Sequence, residues 1–132
     1  MIALDTNVLV RYLVEDDPRQ AAEAAALVDR IVEGGDTLFL SDVVVCETVW
    51  VMSVSYKIGR KEIAGVLRNL LRARHVTFRA ADQLVRALAA YEAGKGDFAD
   101  YLIREHARAE DCEHVATFDR VLLGEHGFVA VR

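Results

Sequence analysis

The sequence lacks the features that mark membrane, secreted and disulfide-stabilised proteins. No apolar run in its 132 residues reaches the length of a membrane span, and the N-terminus has neither the basic region nor the long apolar stretch of a signal peptide. There are only two cysteines, Cys46 and Cys112, which lie far apart and form no CxxC pair. We therefore expect a cytoplasmic protein without a membrane segment, in which both cysteines are buried thiols.

Positive charge is also in short supply. The chain has 16 Lys and Arg against 21 Asp and Glu, a net charge of −5, which argues against binding nucleic acid through bulk charge alone. A nuclease is still compatible with this balance, because an acidic pocket that holds cations can attract phosphate through the metal. The sequence contains no P-loop, no GxGxxG and no Ser–His–Asp or Cys–His arrangement. The histidines lie in no motif, and we interpret them as surface or structural residues: His75, His106, His114 and His126.

What is present is an alternation of short apolar runs with longer helical patterns. The length and a hydrophobic fraction of 53% suit one domain with a real core, so we expect a single domain over residues 1–132. Strands that alternate with helices predict a three-layer α/β/α sandwich with a mainly parallel central sheet. The strands are expected at Ile2–Leu4, Thr37–Leu40, Val76–Phe78, His114–Thr117 and Phe128–Val131.

The predicted helices begin and end at recognisable signals. Asp17 is a good N-cap, Pro18 suits the first helical position, and Gly34-Gly35 stops the Ala-rich helix that follows. Gly94-Lys95-Gly96 is expected to be a flexible turn between two helices. The other helices are expected over residues 7–14, 42–56, 61–73, 80–93 and 97–109, with a short one that ends at Gly124.

The segment from Ser41 to Tyr56 carries conflicting signals. Val43-Val44-Val45 favours a strand, because β-branched residues lose rotamer freedom in a helix. The apolar content continues too far for a strand, and Ser41 can cap a helix, so we predict a helix. It is apolar nearly all round, which implies burial on more than one side, and a dimer interface is a natural explanation. In the helix over 80–93, three side chains are expected to face inward: Leu84, Val85 and Leu88.

Five acids stand at positions where the predicted fold could gather them. Asp5 and Asp119 directly follow predicted strands, at the edge of an open α/β sheet where ligands bind. Asp97 and Asp100 lie at the start of a helix in the same region of the fold. Glu47 lies mid-helix among apolar residues, where a charge is rarely buried without a partner.

Each acid also has a purely structural interpretation. Asp5 and Asp119 could cap the helices that follow them, and Asp97 could be an N-cap with Asp100 favoured at the third position by the helix dipole. Glu47 could lie on the one solvent-facing stripe of its helix. Together these acids converge on one sheet edge, where bare carboxylates would repel and raise each other's pKa values. A divalent cation removes that repulsion, and oxygen-only ligands suit Mg²⁺ or Mn²⁺ rather than zinc.

Four short motifs in the right order resemble the PIN domain, and specifically the VapC-type toxin ribonucleases. Leu4-Asp5-Thr6-Asn7 resembles the first motif, and Ser41 followed six residues later by Glu47 resembles the second. Asp97-Phe98-Ala99-Asp100-Tyr101-Leu102-Ile103 resembles the third, with Asp100 at the position of the third acid. Thr117-Phe118-Asp119-Arg120 resembles the fourth.

The resemblance implies a Mg²⁺-dependent endoribonuclease, dimeric and held inactive by a cognate VapB-like antitoxin, with Mn²⁺ as a possible substitute. The implied catalytic and metal-binding residues are Asp5, Glu47, Asp100 and Asp119, and Asp97 either assists the metal or only caps its helix. The implied supporting residues are Thr6, Asn7 and Thr117. Candidates for phosphate contact are Arg11, Lys95, Arg104 and Arg120, and Tyr12 or Tyr101 could stack a base or pack in the core.

Three other interpretations stay open at this point. A haloacid-dehalogenase-like phosphatase also places an Asp after its first strand, but it needs a second Asp where this chain has Asn7. A receiver-like signalling domain has an acidic Mg²⁺ pocket, but it expects a phosphorylated Asp after a middle strand. A degenerate PIN domain that only binds RNA is the third, and the full set of acids argues against it.

Overall fold

Short parallel strands alternate with helices along the chain, except that a turn lies between the last two strands. The structure is a computed structural model that describes residues 1–131, and the chain divides into two units, Met1–Ala81 and a second that begins at Asp82. Each unit has its own sheet, of three strands in the first and two in the second. Every strand pair in residues 1–131 is parallel.

The sheet of the first unit has the order β1-β2-β3. β1 is Ile2–Ala3, β2 is Leu38–Phe39 and β3 is Val76–Thr77. Backbone bonds extend the pairing beyond the strands themselves, since Leu4 N donates to Phe39 O at 3.1 Å and Leu40 N donates to Thr77 O at 3.0 Å. The chain therefore leaves β1 directly before Asp5.

Side-chain caps start three of the four helices of this unit. The side chains of Asp5, Asp17 and Ser41 each accept a bond from a backbone N–H of the helix that follows. These bonds satisfy amides that have no partner within the helix. The helices are α1 (Thr6–Val14), α2 (Pro18–Glu33), α3 (Asp42–Trp50) and α4 (Arg60–Arg72).

A π-helical segment, Val51–Ser55, continues α3 toward Tyr56. In this wider turn Tyr56 N donates to Val51 O at 3.2 Å. The predicted helix that starts after Ser41 is therefore confirmed, in spite of its three consecutive valines. Tertiary packing decides here against β propensity, because the side chains of Val44, Val45 and Val49 are buried.

Up to residue 131, the second unit contains two helices and two strands. The helices are α5 (Ala81–Ala93, which begins at the last residue of the first unit) and α6 (Phe98–Ala109). The strands are β4 (Val115–Thr117) and β5 (Phe128–Ala130). Among residues 1–131, no helix is both long and apolar enough to cross a membrane.

The short helix expected before Gly124 is wrong, because a turn occupies this place. Asp119 Oδ1 accepts a bond from Val121 N at 2.9 Å, and Asp119 O accepts from Leu122 N at 3.1 Å. This side-chain bond to the backbone two residues on is typical of Asp in turns. The segment closes with i→i+3 bonds and does not continue into a helix.

Three expectations of burial are also wrong. Val85 is 52% exposed, since Leu84 and Leu88 already take the buried face of α5, and Val85 lies about 100° from Leu84 and about 60° from Leu88 around the helix. Ile2, which the apolar run Ile2–Leu4 predicts to lie in a short buried strand, is 44% exposed, because β1 lies at the edge of its sheet. Cys112 is exposed in the turn after α6, whereas Cys46 is partly buried and burial raises its thiol pKa to about 11.

Candidate acidic site

Thr6 joins the first two motif acids within the first unit. Its backbone N–H donates to Asp5 Oδ1 at 2.9 Å, and its hydroxyl donates to Glu47 Oε1 at 3.2 Å. Thr6 itself is buried, while Asp5 and Glu47 are exposed. One threonine at the first turn of α1 therefore holds two carboxylates that lie far apart in sequence. Asn7, the other predicted supporting residue here, is exposed.

Glu47 lies on the exposed stripe of α3 and its π-helical continuation. The stripe consists of Val43, Glu47, Trp50 and Val54, at helical spacings of four, three and four residues. Its three apolar side chains are 67%, 60% and 52% exposed. Glu47 is therefore not a buried charge without a partner, because it faces solvent and accepts a hydrogen bond from the Thr6 hydroxyl.

The other motif acids, Asp97, Asp100 and Asp119, belong to the second unit, where Glu125 joins them. Asp97 is the N-cap residue of α6 and Asp100 its third residue, and Asp97 N donates to Asp100 Oδ2 at 3.1 Å. Burial raises the pKa of Asp100, and the nearby charges of Asp97, Asp119 and Glu125 raise it further. We call these four residues, Asp97, Asp100, Asp119 and Glu125, the acidic cluster.

Thr117 orients Asp119 within this cluster. Its hydroxyl accepts a bond from Asp119 N at 3.0 Å, directly after β4. The Asp119 carboxylate meanwhile accepts from the turn amide of Val121. The capping role that the sequence suggested for Asp119 is therefore confirmed, although Asp119 caps a turn and not a helix.

Sequence reasoning missed Glu125, whereas for Tyr101 one of the two proposed roles is confirmed. The Tyr101 hydroxyl lies 2.8 Å and 2.6 Å from the two carboxylate oxygens of Glu125, and it accepts from Gly96 N at 2.9 Å. Tyr101 is fully buried, so of its two proposed roles core packing applies and base stacking does not. The available signal was the glycine pair around Lys95, since two glycines this close suggest tight backbone approach.

The sequence matches the PIN domain family over residues 2–124. The chain belongs to the PIN domain family. PIN domains are typically metal-dependent nucleases that act on RNA, and they generally use divalent metal ions. A comparison with curated proteins found no match. The family match, with the helices and the parallel strands of residues 1–131, confirms the predicted α/β fold class and replaces the phosphatase and receiver interpretations.

The donor chemistry of this PIN domain fits a hard divalent cation. The motif acids offer oxygen ligands, which Mg²⁺ and Mn²⁺ prefer. Burial is the main cause of the raised pKa of Asp100, and a cation would relieve the repulsion from neighbouring carboxylates that adds to it. Among residues 1–131, however, no three or more His, Cys, Asp or Glu side chains are grouped closely enough to hold a metal ion.

The predicted phosphate contacts of the PIN domain differ in how accessible they are. Lys95 and Arg120 are exposed. Arg11 bonds to Asp16, Gln20 and the Tyr56 hydroxyl at 2.6–2.9 Å, which ties α1 to the segments around it. Arg104 is buried, and its guanidinium binds Glu105 Oε2 at 3.2 Å and His126 O at 3.0 Å. Arg104 therefore stabilises the second unit and is a poor candidate for RNA contact.

Proposed function

We propose that this PIN domain is a metal-dependent endoribonuclease that hydrolyses RNA phosphodiester bonds. The observation that carries the proposal is the match to the PIN domain family over residues 2–124. The acidic cluster supports it, because burial first, and then the charges of Asp97, Asp119 and Glu125, raise the pKa of Asp100. Repulsion from neighbouring carboxylates is relieved when a positive charge lies beside them. A divalent cation supplies that charge, and the proposed metal-binding acids are Asp5, Glu47, Asp100 and Asp119.

The chain's own residues hold these acids in place. Thr6 binds both Asp5 and Glu47, and the backbone of Asp97 binds Asp100. Thr117 orients Asp119 through its backbone amide. Bound Mg²⁺ would activate water and stabilise the charge of the phosphodiester transition state. Lys95 and Arg120 are the exposed cations nearest in sequence to the acids, and we propose them for phosphate contact.

The test compares RNA cleavage in Mg²⁺, in Mn²⁺ and in excess EDTA. We expect cleavage with either metal and none in EDTA, with internal fragments that identify an endonuclease. Isothermal titration with Mn²⁺ provides a readout that does not depend on activity. Full cleavage in EDTA would contradict metal dependence, whereas RNA binding without cleavage in Mg²⁺ would indicate a PIN domain that only binds RNA.

We further propose that the protein is the cytoplasmic toxin of a toxin–antitoxin pair, dimeric and inhibited by a VapB-like antitoxin. The support is the exposed stripe of Val43, Trp50 and Val54, which suits a protein partner better than solvent. Glu47 lies within this stripe. A partner segment that covers the stripe would thus approach an acid of the proposed metal site, and a basic side chain from it could replace the metal's charge.

The test is the oligomeric state of wild type and of Trp50→Arg, by sedimentation velocity. A homodimer that uses the stripe should become monomeric in Trp50→Arg, since the substitution places a charge in an apolar contact. A wild-type protein that is already monomeric at micromolar concentration would contradict the homodimer. If the stripe is instead the surface that binds the antitoxin, Trp50→Arg should weaken binding to a VapB-like antitoxin that is co-expressed from the neighbouring gene.

A further inference from the structure

Tyr101 is buried within the second unit, where its hydroxyl group connects two segments of the chain. The side chain is fully buried, and its ring packs edge-on against Phe128 with ring centres 6.4 Å apart. Its hydroxyl accepts from Gly96 N at 2.9 Å and donates to the carboxylate of Glu125. Both partners are tied to the acidic cluster, since Gly96 precedes Asp97 and the charge of Glu125 acts on Asp100.

The segment that Tyr101 holds is shaped to accept it. A Cβ atom on Gly94 would collide with the Tyr101 hydroxyl and would lie 2.6 Å from Glu125 Oε1. A Cβ atom on Gly96 would lie 2.6 Å from Leu122 and 3.1 Å from the hydroxyl. The Gly94–Gly96 turn, which was expected to be flexible, is therefore packed closely on Tyr101. Because its two glycines have no side chains, they leave room for the Tyr101 hydroxyl.

Two consecutive backbone amides are fixed by two consecutive side chains of α6. Gly96 N is held by Tyr101, and Asp97 N is held by Asp100. Both side chains belong to the first turns of the helix that these amides precede. The direction in which the chain enters α6, and with it the placement of the two acids, thus depends on both bonds.

We infer that Tyr101, held by Glu125, is a positioning residue that fixes the Gly94–Gly96 turn and thereby Asp97 and Asp100. Its effect on cleavage depends on the proposed ribonuclease function, but its effect on the turn does not. Glu125 contributes as a hydrogen-bond acceptor for the tyrosine. Its negative charge also repels the carboxylate of Asp100 in the metal-free protein. The hydrogen bond of Glu125 to Tyr101 therefore helps to hold Asp100 in place, whereas its charge acts against this placement.

Three variants separate the bond from the charge. Tyr101→Phe removes the hydroxyl and keeps the ring, so the packing on Phe128 is retained. Glu125→Gln keeps an oxygen acceptor for the hydroxyl and removes the charge, whereas Glu125→Ala removes both. Tyr56→Phe is a matched control, because it loses a hydroxyl that bonds to Asp16 and Arg11 in the first unit.

The first measurement is amide hydrogen exchange at Gly96 by NMR. We expect Tyr101→Phe to speed this exchange about tenfold, the effect of losing one hydrogen bond. Glu125→Ala should act in the same direction, while Glu125→Gln and Tyr56→Phe should leave Gly96 as in wild type. Unchanged exchange at Gly96 in Tyr101→Phe would overturn the inference.

The second measurement is Mn²⁺ affinity by titration, with cleavage kinetics beside it. We expect Tyr101→Phe to weaken Mn²⁺ binding several-fold and to lower kcat with little change in KM, while Glu125→Gln binds Mn²⁺ nearly as wild type does. Equal losses in Tyr101→Phe and Glu125→Gln would overturn the positioning role and would make the charge of Glu125 decisive. Exchange and metal binding decide this inference, and absence of cleavage in the wild type would contradict only the proposed function.

Discussion

The two units hold their acids by different physical means. In the first, Asp5 and Glu47 are exposed and share one buried donor residue, Thr6. In the second, the charges of three carboxylates act on Asp100, and backbone amides of the same segments donate to Asp100 and Asp119. Solvent and Thr6 can satisfy the first pair, while the second group gains most from an external cation. The comparison therefore predicts that the second unit responds more strongly to metal and to charge removal.

The largest expected effect is the loss of cleavage in Asp100→Asn. Asn keeps an oxygen that can accept from Asp97 N but removes the charge that we propose to bind metal. We expect cleavage in Mg²⁺ to fall about 100-fold or more, the range found when a single electrostatic contribution to a transition state is removed. Glu113→Gln, which removes an exposed charge from the same unit, is the control and should cleave as wild type does. Comparable activity of Asp100→Asn and wild type would remove Asp100 from the metal site.

Asp97 is the next test, because it is the N-cap residue of α6 and also a member of the acidic cluster. Asn caps about as well as Asp, so Asp97→Asn should melt like wild type, whereas Asp97→Ala should lose about 1 kcal/mol of stability. Thermal melts in EDTA measure the cap, and cleavage in Mg²⁺ measures the chemistry. If Asp97→Asn melts like wild type but is as inactive as Asp100→Asn, then Asp97 belongs to the catalytic set.

A smaller effect is expected in the first unit from Thr6→Val, which has nearly the same shape and lacks the hydroxyl. Glu47 is exposed and can exchange the lost bond for water, so we expect cleavage to fall only several-fold, equivalent to about 0.5–1.5 kcal/mol. Thr6→Ser keeps the hydroxyl and should restore activity. A loss as large as that of Asp100→Asn would mean that the two units do not differ as proposed.

The sequence was most informative where a local signal determines a local structure. The caps at Asp5, Asp17 and Ser41 and the helix start at Asp97 follow from residue type and spacing, and the structure has all of them. The Asp119 turn was misjudged because an Asp that caps a helix and an Asp that bonds the backbone of a turn have the same sequence signature.

Contacts between residues that lie far apart in the sequence could not be derived from such local signals. Nothing local connects Thr6 to Glu47, 41 residues away, or Tyr101 to Glu125, 24 residues away. Arg104 illustrates the same limit, since an arginine beside a motif suggests phosphate contact until its burial against Glu105 is known. The family resemblance supplied the order of the four motif acids, but Glu125 lies outside the motifs and so required the structure.

The smallest expected effect concerns the pH dependence of the metal-free protein. Burial and neighbouring carboxylates raise the pKa of Asp100 in the folded chain above its value in the unfolded chain. The folded state therefore binds more protons between these two pKa values, so the free energy of unfolding should fall as pH rises through this interval from about 4 upward. Asp100→Asn lacks this group and should show a flatter profile, with greater stability than wild type near pH 7. Because Asp100 is only partly buried, solvent screening should keep the difference below about 1 kcal/mol.

Urea unfolding in EDTA between pH 4 and pH 7 measures this difference in stability, with Glu113→Gln as the matched loss of an exposed charge. A constant stability difference between wild type and Asp100→Asn across this range would show that the carboxylate repulsion is already relieved without metal.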